Sequence, residues 1–230
     1  MIKTILWDVD GTLLDFEKAE DYGIRKCFEI FGLGKCTDEM LKRYSAINRK
    51  HWEALERGEL TKPQVLYNRF EEFFAEENID FDKIDQLNNE YQFLLGDNAF
   101  FCDNALETVT ALKGKVKQYA VTNGTETAQQ RKLTKSGLIN IFDDIFISDT
   151  IGFEKPSVEF FYEVQKITGT FNKDETIIIG DSLSSDMKGG NNAGILCCWY
   201  NPRKVPKKDG IRIDFEVNDL AEIFNILEKK

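Results

Sequence analysis

Apolar and polar positions follow three regimes along the chain. Ile2, Ile5, Leu6 and Trp7 form a short apolar run with β-forming character, which breaks off at Asp8-Val9-Asp10-Gly11-Thr12. The pattern predicts a strand that ends in two carboxylates and a glycine turn. From Phe16 to about Leu95 the period becomes helical. Ile24, Cys27, Phe28 and Phe31 mark a first helix stopped by Gly32 and Gly34, and Leu41, Tyr44, Asn48, Trp52 and Leu55 share a face of a second, capped by Thr37. Thr61 and Gln64 have capping-box spacing ahead of Leu66, Phe70, Phe73 and Phe74. A fourth helix is expected from about Phe81 to Leu95, with Ile84, Leu87, Tyr91 and Leu94 inward and Gly96 ending it.

Beyond Gly96 strands and helices alternate. Strands are predicted at Val116–Thr122, Ile145–Ser148, Thr176–Ile179, Ile195–Tyr200 and Ile213–Val217. Helices are predicted at Asn104–Leu112, Thr125–Ser136, from Pro156-Ser157 onward and at Leu220–Leu227, while Arg203 to Lys208 reads as a solvated loop. Alternating βα units imply an α/β fold with a doubly wound, mostly parallel sheet and right-handed crossovers. The helices before Gly96 then form an all-helical insertion.

Composition narrows the chemistry. The 230 residues carry 30 Lys and Arg against 40 Asp and Glu, a formal charge of −10 with no dominant basic stripe, which disfavours a nucleic-acid polymer as partner. Five cysteines without C-x-x-C spacing and a single histidine, His51, argue against disulfides and zinc and for inert thiols in a reducing compartment. Seven residues before Asp8 leave no room for a signal peptide, and no apolar run approaches the roughly 20 residues that span a bilayer. A cytoplasmic location without membrane attachment is expected, as a monomer or homodimer.

Three predicted strands end in polar clusters: Asp8 and Asp10, then Thr122-Asn123-Gly124, then Asp181 with Asp186 close behind. Lys155 precedes Pro156 in a fourth connection. Taken alone, Asp8 and Asp10 also fit an ordinary acidic turn, and Asp181 and Asp186 fit acids at a helix N-terminus. Adjacent strands would gather four carboxylates, one ammonium and a Thr/Asn pair in one crevice. That set suits phosphoryl chemistry, and a hard divalent cation, best Mg²⁺, would relieve the crowding of like charges.

In order and separation, Asp8-Val-Asp-Gly-Thr12, Thr122-Asn-Gly124, Lys155-Pro156 and Gly180-Asp-Ser-Leu-Ser-Ser-Asp186 resemble the four motifs of the haloacid dehalogenase-like hydrolases. The helical stretch resembles that family's C1 cap. The resemblance implies a catalytic core of residues 1–14 and 97–230 and a cap of residues 15–96. It implies Asp8 as nucleophile, Asp10 as acid/base, Lys155 as charge neutraliser, and Thr122, Asn123, Gly124 and Lys155 as phosphoryl-binding residues. Mg²⁺ would be held by Asp8, the backbone carbonyl of Asp10, Asp181 and Asp186. Within the cap, Tyr44-Ser-Ala-Ile-Asn48, Trp52, Gly58 and Arg69-Phe70-Glu71 are similar to bacterial 5′-nucleotidases acting on pyrimidine monophosphates, implying a small phosphorylated metabolite as partner.

Sugar-phosphate phosphatase and phosphomutase are the near alternatives. A dehalogenase has no use for Asp10, and a non-catalytic binding protein would have lost one of the acids. A phosphonatase would need a Schiff-base lysine in the cap, for which Lys18, Lys26, Lys35, Lys42 and Lys50 are candidates. Trp52 and Tyr44 are candidates to stack on a base, Phe16 to line the entrance and His51 to touch substrate.

Overall fold

The computed structural model describes residues 1–207 and 209–229. Arg203 to Lys207 form an exposed loop, and Lys208 lies outside the described residues. Six strands, β1 (Thr4–Trp7), β2 (Lys117–Thr122), β3 (Asp144–Ile147), β4 (Thr176–Gly180), β5 (Leu196–Tyr200) and β6 (Phe215–Val217), form one sheet in the order β3-β2-β1-β4-β5-β6. Every pairing is parallel. The helices are α1 (Phe16–Phe31), α2 (Asp38–Glu56), α3 (Lys62–Glu76), α4 (Ile84–Asp97), α5 (Ala105–Leu112), α6 (Glu126–Lys135), α7 (Ser148–Ile151), α8 (Val158–Thr168), α9 (Lys188–Ala193) and α10 (Ile223–Lys229). No helix of the described residues is long and apolar enough to cross a membrane.

Strand periodicity explains the two layers of core. Successive side chains point to opposite faces, so Ile177 and Ile179 join Ile5, Trp7, Val109 of α5 and Ile223 of α10 on one side. Ile178 joins Leu6, Val121 and Phe160, Phe161 and Val164 of α8 on the other. A sheet buried on both faces is the continuous apolar run that the sequence shows at Thr176–Ile179.

Helices α1 to α4 share a separate apolar cluster. Phe28, Phe70, Phe73, Phe74 and Tyr91 interlock there, and Tyr44 stacks on Phe70 with ring centroids 5.2 Å apart. Tyr44 is therefore a core residue, with no surface open to a base. Asp15 caps α1 through the Lys18 amide, and Gly32 ends it in the left-handed region at φ 66°. The buried stripes sit one residue from two sequence-based expectations: Val65 rather than Leu66 in α3, and Leu95 rather than Leu94 in α4.

Gly96 does not end α4. The helix runs through it to Asp97, and a Cβ at Gly96 would lie 2.6 Å from Arg131 Cβ and 3.1 Å from the Ala128 carbonyl of α6. The missing side chain lets α4 seat on α6, joining the helical layer to the sheet layer. Lys62, at the start of α3, makes a second junction: its buried Nζ donates to Ser148 Oγ at 2.7 Å and lies 3.4 Å from Asp149 and from Glu154.

Candidate active site

β1 is flanked by β2 and β4, with Trp7 in register with Ala120 and with Ile179. The carboxyl ends of these three strands therefore meet where the strand order reverses, the place where open α/β sheets bind ligands. The predicted clusters at Asp8, Thr122 and Asp181 become neighbours for that reason. Gly11, at φ 87°, turns the chain out of the sheet, and a Cβ there would fall 2.7 Å from Asp181 Oδ2. Beyond β4, Gly180 makes similar room for Asp186, since its Cβ would lie 2.2 Å from Asp186 Oδ2. A π-helical turn, Leu183–Met187, not foreseen from the sequence, carries Asp186 back under the strand end.

Lys155 lies at the centre of the charge cluster. Its Nζ, 1% exposed, donates to Asp8 Oδ1 at 2.8 Å, Asp186 Oδ1 at 2.7 Å and the Val121 carbonyl at 2.8 Å. Thr12 Oγ1 donates to Asp8 Oδ2 at 3.0 Å, lies 3.3 Å from Asp181 Oδ1 and accepts from the Asp181 amide at 3.0 Å. Carboxylate oxygens of Asp8, Asp181 and Asp186 come within 4.8 Å of one another.

Asp10 is placed differently. Its carboxylate accepts from Gln129 Nε2 at 2.6 Å and pairs with Lys132 Nζ, both on α6, outside that cluster. The three metal-candidate side chains are thus brought together, and the Asp10 side chain borders them from the α6 side. Thr122 is buried and accepts from the Gly124 amide at 3.2 Å. The Asn123 side chain is tied to the Lys155 peptide in both directions at 2.8 Å, so it fixes the lysine-bearing loop at the wall of the crevice. Gly124 leaves the space that Gln129 occupies, since a Cβ there would lie 2.1 Å from Gln129 Nε2.

Burial, reinforced by the Asp186 charge and only partly offset by Lys155, pushes the Asp8 carboxyl up to about 7. Asp181 faces solvent on one side, yet the crevice wall and then the Asp8 and Asp186 charges hold it well above the usual carboxylate range. Lys155 loses some basicity to burial, but its two carboxylate partners raise it above an ordinary lysine. Asp8 and Asp181 carboxyls held above their ordinary range mark a site short of positive charge.

Above these residues lies a cavity of about 180 Å³. The helical layer contributes Phe16, Trp52, Glu56, Arg69 and Gln92 to its wall. Burial pushes Glu56 up to about 7, opposed by a hydrogen bond from Ser184. His51 is absent from this lining; its Nε2 lies 2.8 Å from Glu72. Lys18, Lys26, Lys35, Lys42 and Lys50 are absent as well. The thiols of Cys27, Cys36 and Cys102 are raised to about 12, 11 and 12 by burial, as inert thiols would be.

Sequence reasoning quoted Thr12 and Arg69 within motifs without giving them a contact, and it missed Gln129, Lys132, Glu56 and Gln92. The one signal available was polarity on the inward stripes of otherwise amphipathic helices: Gln129 and Lys132 stand beside Ala128 and Leu133 on the buried side of α6.

Residues 2–194 match the profile of a hydrolase family described as haloacid dehalogenase-like hydrolase. The HAD-hydrolase YfnB of Bacillus subtilis is 36% identical over 225 residues, covering 98% of this chain and 95% of its own. The pyrimidine 5′-nucleotidase PynA of Streptococcus pneumoniae is 31% identical over 228 residues, 99% and 95% of the two chains. The pyrimidine 5′-nucleotidase YjjG of Escherichia coli is 28% identical over 225 residues, 98% and 97%. A magnesium-bound orthorhombic crystal form of YfnB, which reveals interdomain movement in that protein, matches this fold with a TM-score of 0.93 over 98% of each chain.

Proposed function

The chain belongs to the haloacid dehalogenase-like hydrolases, and on that footing we propose that it is a phosphomonoester hydrolase that acts through an aspartyl-phosphate on pyrimidine nucleoside 5′-monophosphates. The observation that carries the chemistry is the Lys155 ammonium held between Asp8 and Asp186, with Asp181 completing a three-carboxylate pocket beside it. The full-length similarity to two pyrimidine 5′-nucleotidases supports the substrate class.

Asp8 is the nucleophile. Thr12 and Lys155 fix its two oxygens, so the attack geometry is set before substrate arrives. A carboxylate oxygen attacks phosphorus in line, the bond to the 5′-oxygen breaks, and Asp10 gives that oxygen a proton. Asp10 then takes a proton from a water whose oxygen attacks the same phosphorus. The bond to Asp8 breaks, inorganic phosphate leaves and both acids return to their starting forms. Thr122, Gly124 and Lys155 stabilise the equatorial phosphoryl oxygens, and Asn123 holds the Lys155 loop for that task.

The donor set fits Mg²⁺: it is all oxygen, and burial and like charge hold the Asp8 and Asp181 carboxyls above their ordinary range, a crowding that a dication would relieve. Asp8, Asp181, Asp186 and the Asp10 carbonyl would hold it. When bound, Mg²⁺ neutralises charge between the attacking carboxylate and the phosphoryl oxygens. Residues 1–14 and 97–230 form the catalytic core, and residues 15–96 form a cap that closes over the crevice to exclude water.

Phosphate release from nucleoside monophosphates, sugar phosphates and phosphonates, with Mg²⁺ and with chelator, tests the reading. Turnover of UMP and dTMP above the others, lost on chelation, is expected. Metal-dependent release confined to sugar phosphates would overturn the substrate class, and no release from any ester would overturn the chemistry.

A further inference from the structure

The cavity over Asp8 retains unmatched polar atoms. Among the described residues, Glu56 Oε2, Arg69 Nε and Gln129 Oε1 are buried without a hydrogen-bond partner, and all three residues line this cavity. Buried polar groups normally find partners, so three at one cavity mark places where a ligand's groups would complete the set.

The three are not equivalent. Gln129 donates to Asp10 through its amide and so belongs to the reacting centre. Arg69 gives its terminal nitrogens to Asn48 Oδ1 at 3.0 Å and Asn88 Oδ1 at 2.8 Å, and its guanidinium lies 5.0 Å from the Phe70 ring centroid, so it is built into the wall. Glu56 is the one carboxylate that the helical layer brings to the cavity. It stands four residues after Trp52, on the same face of α2, and Trp52 lines the cavity too. An aromatic plane beside an acceptor suits a flat, partly apolar group that carries a donor.

We propose that Glu56 is a specificity-determining residue whose Oε2 accepts a hydrogen bond from an N–H or O–H on the nucleoside half of the substrate, packed beside Trp52. This rests on the nucleoside monophosphatase reading above. Two donors share the required chemistry, the imide N–H of uracil or thymine and a ribose hydroxyl. A site built around such a donor discriminates strongly against analogues that lack it.

Steady-state kinetics on Glu56→Leu and Glu56→Gln test the assignment, with UMP and p-nitrophenyl phosphate as substrates. The nitrophenol leaving group has no donor at its far end. Glu56→Leu should lower kcat/KM for UMP at least about tenfold more than for p-nitrophenyl phosphate. Glu56→Gln, which keeps an acceptor oxygen, should recover most of that difference, a rescue that a merely structural role would not give. In the unmodified enzyme, 3-methyl-UMP and 2′,3′-dideoxy-UMP separate the two donors: the analogue missing the recognised one loses a comparable factor.

Equal losses of Glu56→Leu on both substrates, or indifference of the unmodified enzyme to both analogues, would overturn the proposal. The analogue arm decides the matter should Glu56→Leu fail to fold. An enzyme that hydrolyses no pyrimidine monophosphate would overturn the substrate reading and this proposal with it, whereas UMP turnover with equal losses would overturn this proposal alone.

Discussion

At the scale of single residues, two side chains hold the carboxylate proposed as nucleophile. Asp8 is 7% exposed, and its oxygens are engaged separately by Thr12 and Lys155. Asp8→Asn keeps the shape and removes the proposed nucleophile, so kcat/KM for any phosphate ester should fall at least about 10³-fold while circular dichroism stays unchanged. Substantial turnover by a pure sample would refute the assignment. Thr12→Val is close to isosteric and leaves Asp8 Oδ2 and the Asp181 amide without the hydroxyl. We expect it to lower kcat about 10- to 100-fold and to cost about 1–3 kcal/mol of stability, read by steady-state kinetics and urea titration. The acids and Lys155 could be named from the sequence because their motifs, in order and separation, resemble those of a known family. The contacts of Thr12 could not, because its part is to join two strand ends that meet only once the chain has folded.

At the scale of elements, the pairing of α4 with α6 is the contact most sensitive to one atom. Gly96→Val would drive a side chain into Arg131 Cβ and the Ala128 carbonyl, which cannot swing aside. An overpacking cost of about 1–3 kcal/mol is expected, or a melting temperature lower by roughly 2–12 °C, measurable by calorimetry. The same contact shows where pattern reading stops. Gly after an apolar stripe ordinarily signals a helix end, and only the neighbouring helix reveals that here it permits close approach. Strands fared better: β4 is an unbroken apolar run bounded by a charged turn, and both faces of the sheet dictate it. β6 begins at Phe215, two residues later than Ile213, because only three residues at that edge continue the ladder with β5. The short helix α7 and the π-helical turn left no periodic trace, being only four and five residues long. In the cap, the helices were legible but the polar chain inside them was not. Asn48 bridges Glu20 and Arg69, and Gln92 accepts from Thr125 of the sheet layer at 2.7 Å. Its members lie on four separate helices and a loop.

At the scale of the whole molecule, acid balance sets how stability responds to pH and metal. An ordinary aspartate releases its proton near 3.8, whereas folded, metal-free Asp8 holds it to about 7. Across that interval the folded state binds the extra proton, so the contribution of Asp8 to stability falls as pH rises from about 4 to about 7. The metal-free enzyme should accordingly melt at lower temperature at pH 8 than at pH 5. Mg²⁺ should raise the melting temperature more at pH 8, where the cation meets no competing protons. Equal Mg²⁺ shifts at the two pH values in scanning fluorimetry would contradict this account.

The two chain segments that leave and rejoin the sheet layer on either side of α1–α4 are bonded to each other: the Asp15 amide donates to the Phe100 carbonyl at 2.7 Å, the Cys102 amide to the Leu13 carbonyl at 3.0 Å, and Leu14 bridges Phe101. The helical layer is thus a loop tied shut at its own base, its two ends held together whatever is threaded between them. A chain in which Asp15 is joined to Phe100 by a tight turn should still fold and still cleave p-nitrophenyl phosphate, while losing its preference among nucleotides. Grafting another helical loop onto the same ends should then change which ester is cut without altering how it is cut.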